Sequence, residues 1–138
     1  MNRQKIMAII YKAGKDDLYF LALRNNPKDK RHGGDYYFVV TGYVNKNEKL
    51  ENAVKREIKE ETGISNILSI TNLNKIYNYD WDGDKCEEHV FSVKIDDEVK
   101  KLNYEHIGFK WLRKEDFTKT VKWNDKNDLK QILKGISI

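Results

Sequence analysis

Residues 42–64 of this chain read GYVNKNEKLENAVKREIKEETGI, and this stretch decides how the rest of the sequence is interpreted. Its apolar residues recur at helical spacing, and they are Leu50, Ala53, Val54 and Ile58. An amphipathic helix packed on a core requires an apolar stripe of this kind. The pattern therefore predicts a helix over residues 48–62, followed by a strand.

Both ends of the predicted helix carry further signals. Asn47 is a suitable N-cap residue, because a short polar side chain can accept a hydrogen bond from the first free backbone amides. Gly63 comes just after the last turn, where many helices end in a left-handed conformation that favours glycine. We therefore expect the helix to begin after Asn47 and to end before Gly63.

Three glutamates crowd the C-terminal end of this helix. Glu57, Glu60 and Glu61 stand at positions i, i+3 and i+4, so their side chains share one face. Like charges at this spacing cost roughly a few tenths of a kcal/mol each, and the helix dipole disfavours anions at this end. A hard divalent cation reverses the balance, because Mg²⁺ takes oxygen ligands. The spacing therefore predicts a divalent metal site.

Glycine, arginine and glutamate recur at fixed positions through the whole stretch. These positions are Gly42, Glu48, Arg56, Glu57, Glu60, Glu61 and Gly63. If each residue type occurs at roughly one position in fifteen, a chance match has a frequency on the order of one in 10⁸ per start position. The pattern resembles the signature of the Nudix family, enzymes that hydrolyse a diphosphate linked to another group.

The resemblance implies a fold, a cofactor and a role for the arginine. The fold is α/β (α+β), a Nudix-type α/β/α sandwich with a mixed β-sheet, in one domain over residues 1–138. The expected cofactor is Mg²⁺, with Mn²⁺ as a substitute, and its expected ligands are Gly42, Glu57, Glu60 and Glu61. Arg56 is expected to hold a carboxylate in place by pairing with Glu48 or Glu60.

Periodicity and turn residues predict the other elements. Strands are expected over residues 6–11, 18–23, 36–41, 64–70, 75–81, 86–95 and 109–112. Asp82 and Gly83 form a dipeptide typical of a type I′ hairpin turn. A C-terminal helix is expected over residues 125–134. Mixed strands with helices on both sides also indicate an α/β/α sandwich.

The residue that acts as general base is left open among three carboxylates. Glu57 and Glu60 lie inside the predicted helix, and Glu88 lies on the predicted strand 86–95. Nudix enzymes often recruit an extra glutamate from outside the signature. Glu88 is the expected extra residue, and Glu87 and Glu105 are further candidates.

Basic and aromatic residues outside the helix are candidates for substrate binding. A basic loop over residues 25–35 can clamp phosphates, and aromatic rings can stack on a base. The expected substrate-binding residues are Arg24, Lys30, Arg31, Tyr37, Tyr79 and Trp123.

The expected activity is Mg²⁺-dependent hydrolysis of a nucleoside triphosphate or a related nucleotide-type pyrophosphate, which releases pyrophosphate and a monophosphate. Residues 105–112 and Trp123 also resemble the branch that contains dihydroneopterin triphosphate and dATP pyrophosphohydrolases. The alternatives are hydrolysis of dinucleoside polyphosphates of the Ap4A type, pyrophosphate removal from RNA 5′-ends, and nucleotide binding without catalysis.

Composition limits the expected binding partners and the expected cellular compartment of the protein. The net charge is +4 and the charged residues, 35% of the chain, are interspersed, so a nucleic acid is not an expected partner. The single cysteine, Cys86, is typical of a reducing cytosol, which predicts a cytoplasmic location. No apolar run approaches the roughly 18 residues of a membrane span, so no membrane contact is expected. The expected partner is a nucleotide-type small molecule, and homodimers are common in the family that the chain resembles.

Overall fold

The computed structural model describes residues 2–29 and 33–137. Its strands are β1 (Asn2–Ala13), β2 (Leu18–Asn25), β3 (Tyr37–Phe38), β4 (Val40–Tyr43), β5 (Ile67–Trp81), β6 (Asp84–Ile95) and β7 (His106–Leu112). Its helices are α1 (Leu50–Thr62), α2 (Lys114–Thr120) and α3 (Lys126–Lys134). None of the helices in these described ranges is long and apolar enough to cross a membrane.

β1 organises the sheet, because it pairs with strands of both directions. It runs parallel to β6, with Lys5 opposite Glu88, and antiparallel to β4, with Ile6 opposite Gly42. The main path of the sheet is β3-β2-β1-β6-β5, and β7 pairs with β2. β1 carries a continuous apolar run from residue 6 to 10, as expected for a strand that is covered on both faces.

A hydrophobic core lies on each face of this mixed sheet. On one face, α1 packs Ala53, Val54 and Ile58 against side chains of β1, β2 and β6. On the other face, α2 and α3 pack Phe117 and Leu129 against the opposite side chains of the same strands. Helices therefore cover both faces, and the expected α/β/α sandwich with a mixed sheet is confirmed.

The start of α1 differs from the prediction. The N-cap is Lys49, which offers no side-chain hydrogen bond, and Asn47 has a φ of 65° in the preceding turn. The prediction that Asn47 caps the helix is therefore wrong, because Glu48 closes this turn by accepting a hydrogen bond from the Asn45 amide. The predicted end is confirmed, since Gly63 has a φ of 75° and its amide donates to the Lys59 carbonyl.

Three further elements differ from the prediction. The strand expected over residues 36–41 forms two short strands, β3 and β4, which are separated at Val39. The two strands expected over residues 64–70 and 75–81 form one strand, β5, whose irregularities between residues 67 and 69 and between 72 and 75 absorb the polar interruption. α2 was not expected, because its seven residues are too few to show helical periodicity. The hairpin between β5 and β6 is as predicted, with positive φ at both Asp82 and Gly83.

Candidate active site

Gly42 lets the first carboxylate of α1 approach the sheet. A Cβ atom at Gly42 would lie 2.2 Å from the Glu57 carboxyl carbon, so only a glycine leaves room for this side chain. Gly42 does not have a positive φ, and its requirement is therefore space rather than backbone conformation. The arrangement presses Glu57 directly against β4.

Arg56 fixes the same carboxylate from the side. Its guanidinium donates to both Glu48 oxygens at 2.9 Å, to Glu57 Oε1 at 2.6 Å and to the Tyr43 carbonyl at 2.9 Å. Glu60 lies farther from it, at 3.6 Å, and its side chain is half exposed. The Arg56 hydrogen bonds lower the pKa of Glu48 to about 2, so this carboxylate remains an anion that orients the arginine.

Glu61 is buried at the C-terminal end of α1, where β7 begins. Its Oε1 lies 2.7 Å from His106 Nε2, and Glu105 is next to it. One ligand atom from each of Glu61, Glu105 and His106 falls within 4.8 Å of the others. The fold therefore brings Glu105, which precedes β7, and His106, the first residue of β7, next to α1.

Burial makes this cluster electrostatically strained. Burial raises the pKa of Glu61 well above its ordinary value, and the negative charges of Glu105 and Glu57 raise it further. Burial also raises the pKa of Glu57, although Arg56 opposes the shift. Carboxylates that repel one another in this way favour a proton or a cation among them.

The donor set of the cluster fits a divalent cation. Glu61 Oε2 is buried and has no hydrogen-bond donor among residues 2–29 and 33–137, and its neighbours are the carboxyl groups of Glu57 and Glu105. An unpartnered buried carboxylate oxygen is costly unless a cation binds it. The neighbouring carboxylate of Glu105 supplies the kind of hard oxygen ligand that such an ion requires, and His106 lies within the same group. This acidic group could therefore hold a metal ion.

Glu88 does not join this cluster. It lies on the β6 face that also carries Val90, which packs in the core of α2 and α3, whereas Glu57 lies on the face covered by α1. The sequence indicated the alternation along β6 but not which set of side chains would face α1. Glu105 is the carboxylate from outside the signature that the structure brings to Glu61, and no local sequence pattern links the two residues.

An open cavity of about 370 Å³ lies on the face opposite α1. Tyr79, Trp123 and Glu88 line it, and so does Thr41, the neighbour of Gly42 on β4. The cavity and the carboxylate cluster are therefore on the two sides of β4, because Thr41 and Gly42 point in opposite directions.

A half-buried aspartate, Asp128, holds the aromatic wall of the cavity. Asp128 of α3 accepts hydrogen bonds from the Tyr77 hydroxyl and, at 2.5 Å, from Lys75 Nζ. Trp123 Nε1 donates to the Tyr77 oxygen at 3.2 Å, and the Trp123 ring packs 5.6 Å from the Phe38 ring. These contacts give the wall a fixed orientation, which suits stacking on a flat ring.

The other expected substrate-binding residues lie away from this cavity or outside the described residues. Arg24 is bound to Asp35 by two hydrogen bonds of 2.9 and 2.7 Å. The ring of Tyr37 packs under Lys110 Nζ at 4.9 Å. Lys30 and Arg31 lie outside the residues that the structure describes.

Comparison with known proteins gives a family model and solved structures with the same fold as this chain. The NUDIX domain model matches residues 1–134. No curated protein matches the chain at a significant level. Among solved structures, the MutT protein from Methanosarcina mazei Go1 is 25% identical, with 97% of this chain and 94% of that chain covered and a TM-score of 0.76.

Two other solved structures have the same fold at lower identity. The Escherichia coli dihydroneopterin triphosphate pyrophosphohydrolase is 19% identical, with 96% of each chain covered and a TM-score of 0.73. The Caenorhabditis elegans Ap4A hydrolase is 22% identical, with 97% of this chain and 99% of that chain covered and a TM-score of 0.69. At these identities the likeness concerns the fold.

Proposed function

Because this chain belongs to the Nudix family of hydrolases, we propose that its substrate is a nucleoside triphosphate or a related nucleotide-type pyrophosphate. The enzyme is a pyrophosphohydrolase that acts on acid anhydrides in phosphorus-containing compounds. The proposed products are pyrophosphate and a nucleoside monophosphate. The observation that carries the proposal is the carboxylate cluster of α1 beside β4, with an aromatic cavity on the other side of the same strand.

Mg²⁺, or Mn²⁺ in its place, is the proposed cofactor. The residues that would hold it are Glu60, Glu61 and the Gly42 carbonyl, Glu105 would add a further oxygen, and Glu57, which the sequence also offers as a ligand, is left to act as the base. When bound, such an ion neutralises phosphate charge and acidifies a water molecule. The buried, unpartnered oxygen of Glu61 supports this assignment.

Glu57 is the proposed general base. Burial raises its pKa, which makes it a better proton acceptor near neutral pH. Arg56 holds Glu57 Oε1 at 2.6 Å, and the absence of a side chain at Gly42 leaves room for the carboxylate against β4. A water molecule within reach of the Glu57 carboxylate would lose its proton to it and attack phosphorus in line, and pyrophosphate would leave as the P–O bond opposite the water breaks.

The aromatic cavity is the proposed binding site for the ring of the substrate. A ring stacked on Trp123 or Tyr79 would sit against the Thr41 side of β4. Its phosphates could then pass the edge of β4 and reach the carboxylates beside Gly42. Stacking interactions contribute about 0.5–1.5 kcal/mol beyond area burial.

A panel of substrates tests this proposal directly. The panel contains the common ribo- and deoxynucleoside triphosphates, dihydroneopterin triphosphate, diadenosine tetraphosphate and ADP-ribose, each with Mg²⁺, and the assay separates pyrophosphate from orthophosphate. Pyrophosphate release from a triphosphate, far above the other members, is the expected result. Turnover of diadenosine tetraphosphate alone would favour a dinucleoside polyphosphate hydrolase, and turnover of none would refute the proposal.

Glu57→Gln separates the chemistry from the binding. The variant should lower kcat by about a hundredfold or more, because a glutamine cannot accept the proton, while KM stays within a few-fold. Glu115→Gln, on the exposed surface of α2, is the matched control. Unchanged turnover in the Glu57 variant would move the role of base to another carboxylate.

A further inference from the structure

A buried ion pair lies within the aromatic cavity and takes no part in the proposed chemistry. Lys5 of β1 and Glu88 of β6 are direct neighbours in the parallel register, and both line the cavity. Their side chains are only 8% and 6% exposed. Removing both charges from water is costly, so their retention here calls for a partner or a function.

Lys5 and Glu88 do not satisfy each other's hydrogen-bonding capacity. Lys5 Nζ lies 3.8 Å from Glu88 Oε2, which is longer than a hydrogen bond. The Tyr79 hydroxyl donates to the same oxygen at 3.2 Å. The rings of Tyr43, Tyr79 and Trp81 stand 5.1 to 5.9 Å from the lysine ammonium. The ammonium, the second carboxylate oxygen and the remaining lone pair of Oε2 therefore retain hydrogen-bonding capacity, and both residues line the cavity.

A bound flat ring would meet these two groups with its edge. Aromatic side chains occupy the walls beside the pair, so a ring stacked on Trp123 or Tyr79 can direct its edge toward them. The ammonium is a donor only, and the carboxylate is an acceptor only. The matching edge has one acceptor next to one or two N–H donors.

We propose that Lys5 and Glu88 determine specificity by reading the 2-amino-4-oxopyrimidine edge that guanine and pterin rings share. Lys5 Nζ donates to the exocyclic oxygen, and Glu88 accepts from the ring N–H and from the amino group. This inference deepens the proposed function and rests on it for the triphosphate portion of the substrate.

Other bases satisfy the pair less completely. Adenine and cytosine each present one amino group and a ring nitrogen that accepts, so they offer the carboxylate a single donor group. Uracil and thymine offer one ring N–H between two acceptors. The edge of guanine or pterin offers two adjacent donors, and two parallel hydrogen bonds to one carboxylate are stronger and more selective than one.

Substrates that differ in one group test the proposal. Inosine triphosphate is GTP without the amino group, and we expect kcat/KM for GTP to exceed that for inosine triphosphate by about 10- to 100-fold. ATP should be poorer still. Dihydroneopterin triphosphate against GTP distinguishes the two sources of the same edge, and a preference for either one supports the proposal.

Glu88→Gln removes the double acceptor and should lower the GTP to inosine triphosphate ratio by about tenfold, mainly through KM. Glu115→Gln should leave the ratio unchanged, because that residue is exposed on α2. The Lys5→Met/Glu88→Gln double variant avoids leaving one charge buried alone and should lose the selectivity entirely.

Binding of monophosphates supplies a readout that does not depend on turnover. GMP should bind the metal-free enzyme about tenfold or more tightly than IMP, and Glu88→Gln should abolish the difference.

Equal binding of GMP and IMP to the wild type, or a preference for ATP over GTP, would overturn the proposal while leaving the triphosphatase activity intact. A Glu88→Gln variant that lost kcat on every triphosphate equally would also overturn it, because that loss is the signature of a catalytic group. If no triphosphate were hydrolysed, the proposed function would fail, and the monophosphate measurement would still decide the role of the pair.

Discussion

Gly42→Ala is expected to inactivate the enzyme without unfolding it. The added Cβ would stand 2.2 Å from the Glu57 carboxyl carbon, about 1.2 Å closer than the 3.4 Å at which ordinary contact begins. The carboxylate must therefore move by roughly an ångström or more. A displacement of about 1 Å at a reacting group can cost about 100-fold in rate.

The backbone should tolerate the substitution, because Gly42 does not have a positive φ. We expect kcat for the best triphosphate to fall by about 100-fold and the melting temperature to change by only a few degrees. Steady-state kinetics at saturating Mg²⁺ gives the first quantity, and thermal denaturation gives the second.

Gly108→Ala is the matched control. A Cβ at Gly108 would lie 3.8 Å from Arg24 Cβ, which is an ordinary contact, so this variant should retain wild-type kcat. If Gly42→Ala kept full turnover and a wild-type melting temperature, Glu57 would not need its place against β4, and its role as the base would be refuted.

Three further variants separate metal binding, orientation and substrate stacking. The raised pKa of Glu61 means that the folded state holds the carboxyl proton more tightly than the unfolded state, so the metal-free enzyme should lose stability as the pH rises above the ordinary carboxyl range. The Glu61→Gln variant should flatten this pH dependence in thermal denaturation with chelator, and an unchanged slope would contradict the raised pKa. The Arg56→Lys variant loses the two parallel hydrogen bonds from the guanidinium to Glu48, and kcat should fall by about 10- to 100-fold. A kcat within twofold of the wild type would show that Arg56 does not position an essential carboxylate. Asp128→Asn should loosen Tyr77 and raise KM by roughly three- to tenfold at constant kcat, and a fall in kcat with KM unchanged would speak against stacking in the cavity.

Much of α1 could be predicted from the sequence, because its signals are local. The apolar stripe and Gly63 fix the face and the end of α1, and both depend on residues within a few positions of one another. The start was mispredicted because Asn47 has the right chemistry for a cap, while Glu48 uses its side chain to close the preceding turn.

The composition of the site could be predicted only in part, because it depends on contacts between distant residues. Alternation along β6 groups Glu88 with Val90, but the face that α1 covers depends on the pairing of β6 with β1. Glu105 reaches Glu61 through the fold alone, since 44 positions separate them and no local pattern links them. The Lys5–Glu88 pair arises in the same way, from two strands that are far apart in the sequence and paired in the sheet.

Side chains along β1 and β4 alternate between the cavity and α1, and this alternation has a consequence for how the enzyme can evolve. Lys5 and Thr41 point into the cavity, whereas their neighbours Ile6 and Gly42 point toward α1. With the proposed roles, mutations at alternate positions would alter which ring is recognised while the carboxylates on the α1 side keep their places. An enzyme built in this way can acquire new substrates by drift on one side of a strand, without first passing through an inactive ancestor.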